Sequence, residues 1–261
     1  MVDRDEIYSA KIFFNAVLPL VKEIAARTDL GKGFAGKNGI VQISANTPEG
    51  KWATHYVVKD GELETHLGSS EVNPTVELEF KDLASFNGFF KGTSKKLPKI
   101  HGLTKLGLLI PTFRVLLKMA SLLGATAPPA DPETKKLLVL LYFYLLSSGI
   151  SQLNKAGHPE ISNWVKRSPD RVYAWGVDNY PDVAAYLRIK AGNSKAARGA
   201  YKRSQPFFTM RFDNLDSALA ILLGIGDMVE MIASNQMMMD GAPEFGAQIG
   251  DYMLMVGDYA K

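Results

Sequence analysis

Twice along the chain a short alternation of apolar and polar residues runs straight into an apolar-faced helix. The first lies in Asn73–Gly92, NPTVELEFKDLASFNGFFKG, where Val76, Leu78 and Phe80 take one side of a strand. The second lies in Gln205–Gly224, QPFFTMRFDNLDSALAILLG, with Phe208, Met210 and Phe212 in the same roles. A constant shift of 132 places Pro74 on Pro206, Phe80 on Phe212, Leu83 on Leu215, Ser85 on Ser217 and Gly92 on Gly224. In both copies a capping residue, Asp82 or Asn214, opens the helix and a glycine closes it. The pattern predicts a tandem repeat of α+β units.

Extending the reading outward fills each unit. Ile7, Ala10, Phe14, Val17, Leu18, Val21 and Ile24 recur at helical spacing and predict one helix over residues 3–27. Strands are expected at Ile40–Ala45, Trp52–Val58 and Glu62–Leu67, the last two joined at Asp60-Gly61, a strong tight-hairpin signal. After Gly92 the pattern predicts a short strand near Lys99–Leu103. An apolar helix follows, with Ile110, Phe113, Leu116, Leu117 and Ala120 on one face and Arg114 and Lys118 away from it. Pro128-Pro129 favours extended backbone, and Asp131-Pro132-Glu133 has the cap, first-turn proline and acid of a helix start. The expected domains are therefore residues 1–127 and 131–261, with a linker at 128–130. The second begins with a helix, Pro132–Lys155, apolar nearly all round, so it must be covered on more than one side. Strands near Arg171–Val177, Val183–Ala191 and Ala196–Lys202 follow, with Gly192-Asn193 assigned to the turn that matches Asp60-Gly61.

The bulk figures change this picture little. A chain of 261 residues, 46% hydrophobic and 22% charged, is globular in composition and long enough for two cores. A net charge of +3 announces neither nucleic acid nor membrane, and the absence of cysteine removes disulfides and thiolate chemistry. The N-terminus places acids, not a basic segment, before its apolar run, and Leu137–Leu153 carries several serines, so a cytoplasmic protein is expected.

Locally, charge is informative. Residues 51–80 hold six acids and two lysines, whereas 183–212 hold seven cations and no acid. Arg188, Lys190, Arg198, Lys202, Arg203 and Arg211 thus predict a basic outer sheet face in the second unit. Such a face suits an anionic lipid head group, or docking on the acidic sheet of the first unit within or between chains.

The order of helix, antiparallel meander with Trp52 and Asp60-Gly61, strand beginning at Pro74, capped helix ending in glycine, Ile100-His101-Gly102-Leu103 and a C-terminal apolar helix resembles the sterol carrier protein 2 family. The likeness is fuller over residues 1–124 than over 132–261, where the tryptophan and Asp-Gly are missing. It implies two lipid-binding domains, each a sheet of about five strands with helices on one face and an apolar pocket between. The walls it implies are Phe86, Phe89, Phe90, Ile110, Phe113 and Leu117 in the first domain, and Leu219, Leu222, Met231, Met237, Met239, Phe245, Ile249 and Met253 in the second. Eight of the ten methionines fall between residues 210 and 255, and flexible thioethers suit a cavity that refits around its ligand.

The implied activity is non-covalent binding and transfer of a hydrophobic small molecule: a fatty acid, acyl-CoA, sterol-like or isoprenoid lipid. The rival reading is an accessory protein that grips a partner enzyme or another copy of itself through its charged sheets. No cofactor, metal or nucleic acid is expected. The G-x-G-x-x-G spacing at Gly31, Gly33 and Gly36 is preceded by a helix and followed by a strand, the reverse of the phosphate-binding order. His55 and His66 can face one another across the Asp60-Gly61 hairpin, but no third ligand stands at metal-binding spacing. No catalytic motif is present, so no enzymatic activity is expected.

Overall fold

The computed structural model describes residues 3–261. It divides into two compact units, Met1–Ser121 with Tyr259–Lys261, and Leu122–Asp258. Each contains one five-stranded mixed sheet with helices, an α+β architecture.

In unit 1 the strands are β1 (Gly39–Thr47), β2 (Gly50–Lys59), β3 (Glu62–Leu67), β4 (Val76–Phe80) and β5 (Lys99–His101). Their order across the sheet is β3-β2-β1-β4-β5, with β1 and β4 parallel and the other neighbours antiparallel. Unit 2 is built from β6 (Arg171–Val177), β7 (Tyr180–Lys190), β8 (Asn193–Arg198), β9 (Phe208–Phe212) and β10 (Met237–Asp240). Its order, β8-β7-β6-β9-β10, with β6 and β9 parallel, is the same path. The registers also agree, since Val41 pairs with Val76 as Tyr173 pairs with Phe208, each residue displaced by 132.

The hairpin turns differ in detail from the sequence reading. Asp60 and Gly61 both have positive φ, 51° and 89°, and the matching pair in unit 2 is Ala191 and Gly192, at 48° and 81°. The turn therefore lies one residue earlier than Gly192-Asn193. Alanine carries no turn signal, and its left-handed conformation is imposed by the strands on either side.

A helix crosses the second and third strands of each sheet, in two different forms. In unit 2 it is α5 (Pro132–Lys155), continuous over 24 residues and packed on β7 and β8. Although long and apolar enough to cross a membrane, its most apolar window is 83% buried, as expected of a core helix. In unit 1 the single predicted helix is broken into α1 (Arg4–Ile12), a π-helical turn (Phe13–Val17) and α2 (Leu20–Arg27). Pro19 is the cause.

Within the π turn the Leu18 amide donates to the Phe13 carbonyl, so the next amide in that register would donate to the Phe14 carbonyl. That residue is Pro19, which has no N–H. The buried Thr54 hydroxyl on β2 donates to the Phe14 carbonyl instead, at 2.5 Å. Two residues along the same strand face, the Tyr56 hydroxyl donates to the Leu18 carbonyl at 2.8 Å. In unit 2, where α5 is unbroken, the corresponding positions are the buried Ala185 and Leu187. Polar side chains occur on this inner face where a backbone group needs one.

The helix after the fourth strand is α3 (Leu83–Phe90) in unit 1, capped by Asp82 accepting from the Ser85 amide. It recurs in unit 2 as α7 (Leu215–Leu222), capped by Asn214 on Ser217. Unit 1 continues into α4 (Leu106–Leu123). Unit 2 adds α6 (Pro159–Arg167), α8 (Met228–Ala233) and α9 (Pro243–Ala260). The glycine-rich run holds no phosphate-type loop: it is a 3₁₀ turn, Asp29–Phe34, in which Gly31 backs onto the Ala25 carbonyl and Gly33 onto Pro111 of α4.

Thr54→Val leaves the Phe14 carbonyl buried without a donor, so it is expected to lower stability by about 1–3 kcal/mol in denaturant unfolding. The loss should shrink in a Pro19→Ala background, where an amide is restored; an equal loss in both backgrounds would disprove the link.

Candidate functional site

The inner face of unit 1 gathers six phenylalanines. Phe86 of α3 is fully buried and stacks on Phe14 with ring centroids 4.0 Å apart. It also meets Phe80 of β4 at 5.4 Å and Phe90 at 4.9 Å. Phe13 reaches Phe90 at 5.5 Å, and Phe89 lies 5.2 Å from Phe80. Edge-on and offset contacts of this kind are favourable beyond the area they bury. Phe89 and Phe90 remain half-buried, so the cluster's outer edge is open to the surface.

Beside that edge lies a cleft of about 440 Å³ lined by Phe80, Lys81, Asp82, Ser85, Lys96 and Leu97. Ligand pockets commonly measure about 300–1,000 Å³. Phe80 is the aromatic member of this lining, and Lys81, Lys96 and Asp82 supply its charges. The β4–α3 turn supplies Lys81, Asp82 and Ser85, while Lys96 and Leu97 come from the segment that leads into β5. Sequence reading finds the cap but misses Lys96 and Leu97, because no local pattern marks a loop that folds back on a helix start.

The face expected of α4 is turned round. Ile110 and Leu117 are 47% and 68% exposed and Phe113 is half-buried, so these three do not form a pocket wall with Phe86. The inward stripe consists of Leu108, Thr112, Val115, Met119 and Leu122. Both stripes are apolar, so periodicity alone could not choose between them. The inward one is selected by close packing of Leu108 on Gly39 and Pro111 on Gly33.

In unit 2, Leu219, Met231, Met237, Ile249 and Met253 are buried, whereas Leu222, Met239 and Phe245 are half-buried. The methionines pack against protein groups. The Trp175 indole N–H points to the Met253 sulfur at 3.3 Å, and the Met239 sulfur lies against Gly246. Phe245 contacts Phe207 at 4.7 Å, and the Arg171 guanidinium lies over both rings, at 4.8 and 4.0 Å.

The outer sheet faces carry the predicted charge, largely compensated. In unit 1, Lys51 binds Glu77 and Glu79 at 2.8 and 3.0 Å, and the His101 ring contacts Glu79 at 2.8 Å. Ser44 and Gln42 donate to Glu77. Burial alone would raise the Glu77 carboxyl, but the hydrogen bonds from Lys51, Ser44 and Gln42 outweigh it and hold it low. Hydrogen bonds from His101 and Lys51 bring Glu79 down to about 2.

Unit 2 reproduces this arrangement with the signs exchanged. Arg211 occupies the position of Glu79 and binds Asp178 and Asp240 at 2.7 and 3.2 Å. Asp178 stands where Asn46 donates to Glu79, and Asp240 where His101 does. Arg188 makes a two-pronged pair with Asp170, with Lys190 at 3.4 Å from the same carboxylate. Arg198 lies over the Tyr144 ring. Of the six cations expected on a basic sheet face, Lys202 and Arg203 lie instead in the connection between β8 and β9, and neither enters an ion pair among the described residues. The neutralising acids, Asp170, Asp178 and Asp240, lie outside residues 183–212 in sequence.

His55 and His66 are direct partners across the hairpin, their rings stacked at 5.1 Å. Among the described residues no cluster of three or more histidines, aspartates or glutamates is arranged to hold a metal.

No family model and no curated protein matches the chain. Two solved structures are similar to parts of it. One is the solution structure of a conserved hypothetical protein from Thermus thermophilus, described as possibly a sterol carrier protein. It is 15% identical, with 43% of this chain and 83% of that one covered at a TM-score of 0.30. The other is UbiJ-SCP2, a ubiquinone synthesis protein, 16% identical, with 45% and 96% covered at 0.28. Each likeness spans less than half of this chain.

The depressed Glu79 sets a pH dependence. Its carboxyl falls from an ordinary 4.5 to about 2 on folding, so its contribution to stability is present above 4.5 and is lost as pH drops through the folded value. The unfolding free energy of wild type should therefore fall across that window, and Glu79→Gln should fall less steeply. Parallel slopes in a denaturant series at stepped pH would refute this.

Proposed function

We propose that unit 1 binds a hydrophobic small molecule with an anionic end, of the fatty acid, acyl-CoA, sterol-like or isoprenoid class, in a site of the sterol carrier protein 2 kind. The observation that carries the reading is an aromatic cluster, half-buried at Phe89 and Phe90, whose Phe80 also lines a cleft with Lys81 and Lys96. Entry requires those two half-buried rings to part, which exchanges ring–ring contact for ring–ligand contact and keeps the apolar area out of water. In this reading Lys81 and Lys96 meet the ligand's carboxylate or phosphate.

Unit 2 follows the same strand path with a different filling, and we read it as a diverged second copy. Its methionines suit an adaptable site of their own, reached past the half-buried Met239 and Phe245. An accessory role, with the charged sheets gripping a partner, is less favoured, because Glu77, Glu79, Arg188 and Arg211 already have partners within their own units.

Native mass spectrometry and organic extraction of the purified chain should reveal a co-purifying lipid, and a fluorescent fatty acid should load it. Phe90→Asp should abolish loading of unit 1, and Lys96→Glu should weaken fatty-acid uptake by about fivefold or more. Met239→Asp should abolish any loading of unit 2. If neither lipid nor uptake is found in wild type, the binding reading is wrong.

A further inference from the structure

Helix α4 is apolar on two opposite sides. One stripe, through Leu108, Val115, Met119 and Leu122, is buried. On the other side Leu106, Ile110 and Leu117 are 55%, 47% and 68% exposed, with half-buried Phe113 between them. Their spacing makes one continuous ridge along the helix. Leu103, 60% exposed, extends it just before the first turn. Scattered surface leucines need no explanation, but a contiguous apolar ridge marks a place where something apolar binds.

The charge around the ridge says what that is. Between Asp82 and Asp131 the chain has no acidic residue and seven lysines and arginines. Lys105 precedes the helix, and Arg114 and Lys118 follow one flank of the ridge. Lys37 reaches the helix start, its Nζ 3.6 Å from where a side chain on Gly107 would begin. None of these four enters an ion pair among the described residues. They contrast with Arg188, Lys190 and Arg211 of the unit 2 sheet, which are paired with carboxylates.

We propose that the outer ridge of α4, with Leu103 and its flanking cations, is a docking surface for a bilayer rich in anionic lipid. The helix lies in the interface, its leucines and Phe113 entering the acyl boundary while Lys37, Lys105, Arg114 and Lys118 meet lipid phosphates. A second copy of the chain is a poorer occupant, because a two-fold contact would oppose the same uncompensated cations. A span is excluded by the opposite stripe, which is packed into the protein. The surface is distinct from the cleft at Lys81 and Lys96, and its docking does not depend on what the cleft holds.

The test is flotation of the full-length protein with vesicles of phosphatidylcholine alone, or of phosphatidylcholine and phosphatidylglycerol in equal parts. Binding is expected to the mixed vesicles only and to fall as salt is raised. Ile110→Asp with Leu117→Asp, both at exposed positions, should reduce it by more than about tenfold with an unchanged thermal midpoint. Lys105→Gln should reduce it by about fivefold, and Lys202→Gln, in the β8–β9 connection of unit 2, should leave it unchanged. The Lys105→Gln arm decides the matter if the double variant fails to fold. Equal binding to both vesicle types, or undiminished binding by the variants, would overturn the proposal. So would a wild-type dimer that ignores vesicles and is dissociated by the double variant, which would assign the ridge to self-association.

Discussion

Each sheet must bury one face, and in both units that burden falls on a helix laid across the second and third strands. The two solutions show how strictly backbone hydrogen bonding governs side-chain choice on a buried surface. Where the helix is whole, the strand beneath it offers Ala185 and Leu187. Where Pro19 interrupts the helix, two carbonyls lose their ordinary arrangement, and the strand answers with Thr54 and Tyr56. Burial pushes the Tyr56 phenol far up, so it stays a neutral donor. The polarity of β2 is thus a consequence of a proline distant in sequence, and the break leaves Phe13 and Phe14 placed to complete the aromatic cluster.

The outer faces follow a different rule. There the same three positions hold one polar cluster in each unit, with the central charge reversed: Asn46, Glu79 and His101 against Asp178, Arg211 and Asp240. Pairs of this exposure contribute modestly to stability.

Much of the architecture was legible in the sequence because the repeated Asn73–Gly92 pattern is local: a period of two, a cap, a period near 3.6 and a glycine stop. The strands other than β10, the shift of 132 and the His55–His66 pairing follow from such short-range rules, whereas the methionine run that forms β10 carries no strand alternation. What was misread depends on long-range facts. The orientation of α4 was set by Gly33 and Gly39, glycines that admit Pro111 and Leu108, while its composition allowed either face. The turn at Ala191 escaped notice because strand register, not residue preference, dictates its conformation. The cleft needed Lys96 and Leu97 to return to the start of α3, and the neutralisation of Arg188 and Arg211 needed acids from distant strands and loops.

The exchanged signs also bear on how such a chain assembles. Two sheets of identical strand path in one polypeptide invite an edge strand to add to the wrong sheet, a characteristic failure of repeated domains. Placed on β4, β10 would bring Asp240 beside Glu79, carboxylate against carboxylate. Placed on β9, β5 would set His101 against Arg211 and leave that guanidinium without its Asp240 partner. A strand that completes its own unit satisfies the charge beside it, whereas β10 on the wrong sheet meets repulsion and β5 on the wrong sheet forfeits an ion pair. The inversion of charge acts as an address that tells two nearly interchangeable edges apart.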